Sequence, residues 1–241
     1  MSGHSHAKTV MGTKMANAAK KGKIYSKFGR LITIAVKEGG GSGDPATNSK
    51  LKTAIEQAKS MDMPKENIER AIKKGTGELV GEVLESVSYE GFGPGGIALM
   101  IVGITDNTNR TLGEIRSILN QNGGKMAGEG AVAWMFDKKG TILVSLDGKT
   151  KEDLEMLAIE AGADDVRSFE DGLDIYTKVE ELEAVKKNLE EKGVKITKSS
   201  IDLVPKEEVV LSEKDKAATE RLFEALDENE AVNEIYSNIK N

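Results

Sequence analysis

YEGFGPGGIALMIV, from Tyr89 to Val102, contains the pattern G-x-G-x-x-G at Gly91, Gly93 and Gly96. In a dinucleotide-binding domain such glycines follow a strand and open a helix, whose N-terminus holds the pyrophosphate. A strand does precede them here, ESVSYEGF (Glu85 to Phe92), carrying Val87, Tyr89 and Phe92. No helix comes after them. GIALMIVGITD (Gly96 to Asp106) is nearly continuous Ile, Leu, Met and Val and reads as a buried strand. Pro94 and the flanking glycines suit a tight strand-to-strand turn. The stretch is therefore a β-hairpin, and neither a cofactor nor a small-molecule substrate is expected on it.

Upstream of the hairpin the chain reads as helices. From about Gly12 to Lys37, Ile24, Phe28, Leu31 and Ala35 fall on one helix face. Lys20, Lys23, Lys27 and Arg30 form a second stripe, roughly a quarter-turn away at about 100° per residue. It is expected to be exposed. EGGGSGDP (Glu38 to Pro45) ends this helix. Asn48 to Ser60 is a second helix, and Pro64 starts a third, with Glu66 and Glu69 near its positive end.

Downstream, Asn109 or Thr111 can cap a helix with inner residues Leu112, Ile115, Ile118 and Leu119, ended by Gly123 and Gly124. AVAWMF (Ala131 to Phe136) reads as another strand. From Thr141 to Leu203 the pattern is β-α-β-β-α-β, the order of ferredoxin-like domains. Val209 to Asn241 holds a helix capped by Ser212, with Leu222, Phe223 and Leu226 apolar. The second segment's sheet would keep one face bare, so this helix is expected to cover it. The fold class is α+β multidomain, with an N-terminal three-helix domain and two α/β sandwich-like domains, the third ferredoxin-like. The expected boundaries are residues 1–78, residues 79–138 plus 206–241, and residues 139–205.

The net charge of −6 conceals a division. Through Gly77 there are 15 basic and 6 acidic residues, a net of +9; the remainder has a net of −15. A basic front on an acidic body suits a polyanion partner, against the plainer alternative of a solvated surface. There are no cysteines, which excludes disulfides and thiolate chemistry and is compatible with a reducing cytoplasm. No apolar run reaches the ~20 residues of a membrane span, and no signal-peptide pattern opens the chain. A cytoplasmic location without membrane association is expected.

Several blocks together resemble the YebC/PmpR family, which includes the mitochondrial translational activator of cytochrome c oxidase subunit one. They are GHSH, AAKKGKIYSKFGRLITIAVKEGGG, DMPKENIERAIKKGTGE, YEGFGPGGIALM, TDNTNRTLGEIR, NGGKMAGEGAVAWMF and KKGTI, spread over residues 3–142. His6 and Ala7 stand where the family usually has Lys and Trp, and Gly41–Gly43 resembles a lengthened loop. The resemblance implies three domains, the second completed by the C-terminus, and a non-enzymatic role. Bacterial members are described as DNA-binding transcriptional regulators; others act as translation factors at the ribosome.

The residues offer their own chemistry beside this. Lys14, Lys20, Lys21, Lys23, Lys27, Arg30, Lys73 and Lys74 are candidates to neutralise phosphates of duplex DNA or structured RNA. Aromatics are 4% of the chain, too few for a stacking platform, and no helix-turn-helix or zinc-finger spacing occurs. Only two histidines are present, His4 and His6, and no nucleophile–base constellation can be drawn, so no enzyme is expected. Ser2-Gly3-His4 could wrap a square-planar Cu(II) or Ni(II) if Met1 were removed. Coincidence is the plainer explanation of the triplet, and no metal is assigned. Gly91, Gly93, Gly96, Asn109, Arg110, Gly123 and Gly124 are expected either to form one loop patch for an RNA or protein surface, or to serve a tight hairpin alone.

Overall fold

The computed structural model describes residues 18–240. Lys14 and the Ser2-Gly3-His4 triplet lie outside the described residues. By compactness the chain divides into two units. One holds residues 18–132 with Ser212–Ile235; the other holds Ala133–Leu211 with residues 236–240.

The first unit opens with three helices, α1 (Ala18–Glu38), α2 (Ser49–Ser60) and α3 (Lys65–Thr76). Their core gathers Ile24, Phe28, Ile32, Ala35 and Val36 of α1 with Leu51, Ala54, Ala58, Met63, Ile68 and Ala71. Asn48 joins two of these helices. Its side-chain oxygen accepts the Leu51 N–H at 3.0 Å, capping α2, while its amide donates to the Ala35 carbonyl at 3.0 Å. α3 ends at Gly77 in the left-handed conformation.

The hairpin is next. β1 (Glu85–Phe92) pairs antiparallel with β2 (Ala98–Thr105), from Glu85 opposite Thr105 to Phe92 opposite Ala98. Pro94–Gly96 form a single 3-10 turn between them. α4 (Thr108–Gln121) buries Ile115 and Leu119 against this sheet, and β3 (Lys125–Met126) pairs with the end of β1. The C-terminal segment supplies α7 (Glu213–Asp227), which packs on α4 and the glycine turn, and β8 (Val232–Ser237), which completes the sheet in the order β3-β1-β2-β8.

The second unit is ferredoxin-like. It consists of β4 (Phe136–Ser145), α5 (Lys151–Ala161), β5 (Asp165–Phe169), β6 (Gly172–Thr177), α6 (Leu182–Glu191) and β7 (Ile196–Pro205), with sheet order β5-β6-β4-β7. One face buries Ile142, Val144, Leu173 and Ile175 under the helices. The opposite face is polar. Thr141 stands in register between Tyr176 and Ser200, and Asp202 accepts from the Ser200 hydroxyl at 2.7 Å and the Tyr236 hydroxyl at 3.4 Å. Burial, with the Asp202 charge second, pushes the Asp174 carboxyl up to about 6.

One expected element needs correction. AVAWMF is not a strand of the first sheet. Ala133–Met135 form a 3-10 turn, Trp134 is 66% exposed, and Phe136 already begins β4, opposite Pro205. The physical reason is Glu90. Its carboxylate binds the Gly130 and Val132 N–H groups, each at 2.6 Å, which holds this segment as a loop. The missing sheet members are instead the two-residue β3 and the C-terminal β8.

Candidate nucleic-acid interface

The expected stripe on α1 is not an open row of cations. Lys20 is in α1 by its backbone. Lys21 is half-buried, and Lys23 keeps 51% of its side chain exposed, 4.0 Å from Glu228. Lys27 is buried. Its ammonium donates to the Asp227 carbonyl at 2.5 Å and to Asp227 Oδ1 at 3.2 Å. Arg30 donates to the Glu230 carbonyl at 3.0 Å and faces Glu230 Oε2 at 3.5 Å. Three cations of the stripe thus meet Asp227, Glu228 and Glu230 at and just beyond the end of α7. Burial lowers the Lys27 pKa, and the Asp227 carboxylate only partly offsets this. The expectation of an exposed stripe is therefore corrected at Lys27 and Arg30, which hold α1 to the C-terminal segment. Sequence spacing locates a stripe on its helix. It does not show which distant segment covers it.

Lys73 and Lys74 are exposed in the last turn of α3. A basic pair there also complements the helix dipole, whatever else it binds.

The glycine loops come together in part. Phe92, Gly93, Gly96, Gly123, Gly124 and Lys125 line an open cleft of about 310 Å³ between the β1–β2 turn and the α4–β3 turn. Two kinds of glycine shape the turns around it. Gly95, Gly96 and Gly123 have φ of 70°, 78° and 77°, the left-handed region that turns require. Gly91 and Gly124 are needed for close packing. A Cβ on Gly124 would lie 2.7 Å from the Phe92 carbonyl oxygen, and one on Gly91 2.9 Å from that of Lys125. Gly124→Ala is expected to cost about 1–3 kcal/mol through this overlap. Urea denaturation measures it, and an unchanged midpoint would contradict the packing role.

Asn109 and Arg110 do not join the cleft. They sit in the first turn of α4, while Gly123 lies beyond its last, about 20 Å away at about 1.5 Å per residue. Arg110 pairs with Asp106 at 2.5 Å and Glu114 at 3.7 Å. The hydrogen bond from Arg110 holds the Asp106 carboxyl below its ordinary range. A helix places its two ends far apart, so the loops before and after α4 cannot form one patch.

Sequence reading missed two contributors, Glu90 and Lys125. An acid within the hydrophobic-alternating β1 was the available signal for Glu90. For Lys125, it was a lysine directly after the helix-ending glycines.

Known proteins resemble this chain over its whole length. Residues 5–78 match the TACO1/YebC protein N-terminal domain, and residues 84–239 match the TACO1/YebC second and third domain. A probable transcriptional regulatory protein of Caldanaerobacter subterraneus subsp. tengcongensis is 46% identical, with 100% of this chain and 98% of the relative aligned. One from Thermotoga maritima is 44% identical, with 100% and 94% aligned. The crystal structure of a conserved hypothetical protein from Aquifex aeolicus superposes with a TM-score of 0.82 at 44% identity, over 92% of this chain and 91% of the other. The helical layer, the interrupted first sheet and the ferredoxin-like unit accordingly have their counterpart in a known group of proteins, and the chain belongs to the TACO1/YebC family.

Proposed function

We propose that the protein is a non-enzymatic regulator of gene expression that binds the phosphate backbone of nucleic acid through its N-terminal helices. The observation that carries this is the charge division, +9 through Gly77 against −15 beyond it. Lys23, Lys73 and Lys74 remain exposed on the helical layer. The family's regulators support the same reading. The proposed location is the cytoplasm, with which a cysteine-free chain is compatible. Among the described residues no helix is long and apolar enough to cross a membrane.

Lys23, Lys73 and Lys74 replaced together by Gln should leave the fold intact, since exposed substitutions usually change stability by within about 0.5 kcal/mol each. Affinity for a DNA duplex should fall, and the slope of log K against log salt should become shallower by roughly 2–3 units, at about 0.9 per contact. The loss should be similar for unrelated sequences. An unchanged affinity and slope would reduce these lysines to a solvated surface.

A second reading, a translation factor on ribosomal RNA, is favoured by the scarcity of aromatics and the lack of a base-reading motif. Sedimentation separates the two. Co-migration with ribosomal particles after DNase treatment supports translation, and enrichment at particular promoters supports transcription.

A further inference from the structure

The cleft between the two glycine turns is not absorbed by phosphate binding on the helical layer. We propose that it receives the base of a single unpaired nucleotide, with Lys125 holding the adjoining phosphate at the rim. This inference rests on the nucleic-acid reading above and deepens it by naming the part of the ligand that is recognised.

Three observations determine the ligand. Gly93, Gly96, Gly123 and Gly124 line the cleft without side chains, so a flat group can lie against main chain. At about 310 Å³ the space is at the lower limit for small-ligand pockets and suits one planar group rather than a cofactor. Among the described residues the one aromatic lining it is Phe92, half-buried, with the Lys125 ammonium 5.7 Å from its ring centroid. Bases stack on aromatic faces, and ammonium groups neutralise phosphates. The ammonium lies over the ring, so a base stacking on that face displaces it toward the rim, where it can meet the adjoining phosphate.

The direction of α4 determines which end of the nucleotide enters. Its C-terminus, carrying the negative end of the helix dipole, adjoins Gly123 and Gly124. That field disfavours a phosphate inside the cleft and favours the amino donors of a base edge. The phosphate therefore stays outside, within reach of the flexible Lys125 chain. A dinucleotide cofactor needs the opposite arrangement, a helix N-terminus at its pyrophosphate. One aromatic also means one base, so the cleft suits a bulge or a flipped nucleotide rather than a run of single strand.

The site is also braced. The Ala127 N–H donates to the Glu90 carbonyl at 2.8 Å, and the Gly130 and Val132 N–H groups bind the Glu90 carboxylate. These bonds fix the chain immediately after Lys125. Glu90 is thus a positioning residue for the cleft.

The test uses the full chain and two RNA hairpins. One carries a single bulged 2-aminopurine, and the other is fully paired; DNA versions of both show whether the sugar matters. The parent should bind the bulged hairpin about tenfold more tightly than the paired one, within the range that stacking on one aromatic provides, and 2-aminopurine emission should change on binding. Phe92→Leu keeps an apolar side chain but loses the flat face. It should bring the preference close to one while binding to the paired hairpin persists. Lys125→Gln should weaken the bulged complex more than the paired one. If the parent binds both hairpins equally, or Phe92→Leu retains the full preference, the cleft assignment falls and backbone binding stands. If neither hairpin is bound, the nucleic-acid reading falls and the cleft assignment with it.

Discussion

Lys27→Gln should lower the stability of the first unit by about 3 kcal/mol, the low end of the range for a buried ion pair broken on one side. The low end applies because the Asp227 side chain keeps 18% exposure and can be partly hydrated. For a unit of this size the loss corresponds to a melting temperature about 6–12 °C lower. The substitution removes a hydrogen bond to the Asp227 carboxylate and one to its main-chain carbonyl, and leaves the carboxylate against α1 without its cation. Arg30→Gln should cost under about 1 kcal/mol, because Glu230 is 57% exposed and solvent screens that pair. Thermal melts of the two variants give the comparison. If Lys27→Gln melts within about 2 °C of the parent, the contact contributes no more than a surface pair does.

The same lysine gives a pH dependence of definite sign. Burial lowers its pKa in the folded state below the ordinary 10.5, and Asp227 does not restore it. Between the two values the unfolded chain holds more of this proton, so the lysine's contribution to stability rises with pH across that window. A buried ion pair of this kind often contributes no more than a well-packed apolar pair. Lys27→Met combined with Asp227→Asn should recover at least half of what Lys27→Gln loses. The parent-minus-variant stability difference for Lys27→Gln should grow as pH rises toward 10.5. A difference that shrinks would mean that Asp227 outweighs burial.

Much of the architecture was legible in residue order. The switch from helical to alternating apolar spacing marked the hairpin, and the β-α-β-β-α-β run marked the ferredoxin-like unit. The C-terminal segment was expected to cover the first sheet; α7 packs on α4 and the glycine turn, and β8 joins the sheet edge. Less was legible wherever partners are distant in the chain. Lys27 and Asp227 are 200 positions apart, and nothing local to either indicates the contact. β3 is too short to show a period, and β8 is an edge whose pairing depends on where α7 delivers the chain. AVAWMF has strand-forming residues, yet the hydrogen bonds from Gly130 and Val132 go to a side chain. For the candidate site, the glycines and the basic front were visible in the sequence. The separation of Arg110 from Gly123 emerges only once α4 is known to be continuous.

Glu90→Gln should destabilise the first unit by about 2–4 kcal/mol although it changes neither size nor shape. The Glu90 side chain lies in β1, 8% exposed, with Oε1 accepting from Gly130 N–H and Oε2 from Val132 N–H. Both bonds are charge-assisted, and each is stronger than a neutral one. A glutamine can accept only one of these N–H groups. Its amide NH₂ then points at the other, leaving a donor facing a donor. An unsatisfied buried donor costs about 1–3 kcal/mol, to which loss of the charge adds. Glu90→Ala removes both acceptors and should cost at least as much. Two readouts separate a local from a global effect. Urea denaturation gives the overall loss, and amide exchange at Gly130 and Val132 should accelerate well before the helical core opens, since segments of low contact density open locally. In the hairpin comparison Glu90→Gln should also narrow the preference for the bulged RNA, because the segment after Lys125 loses its anchor. A glutamine variant as stable as the parent, with Gly130 and Val132 equally protected, would show that the carboxylate's charge is dispensable there. The loop would then owe its position to the main-chain bond between Ala127 and Glu90.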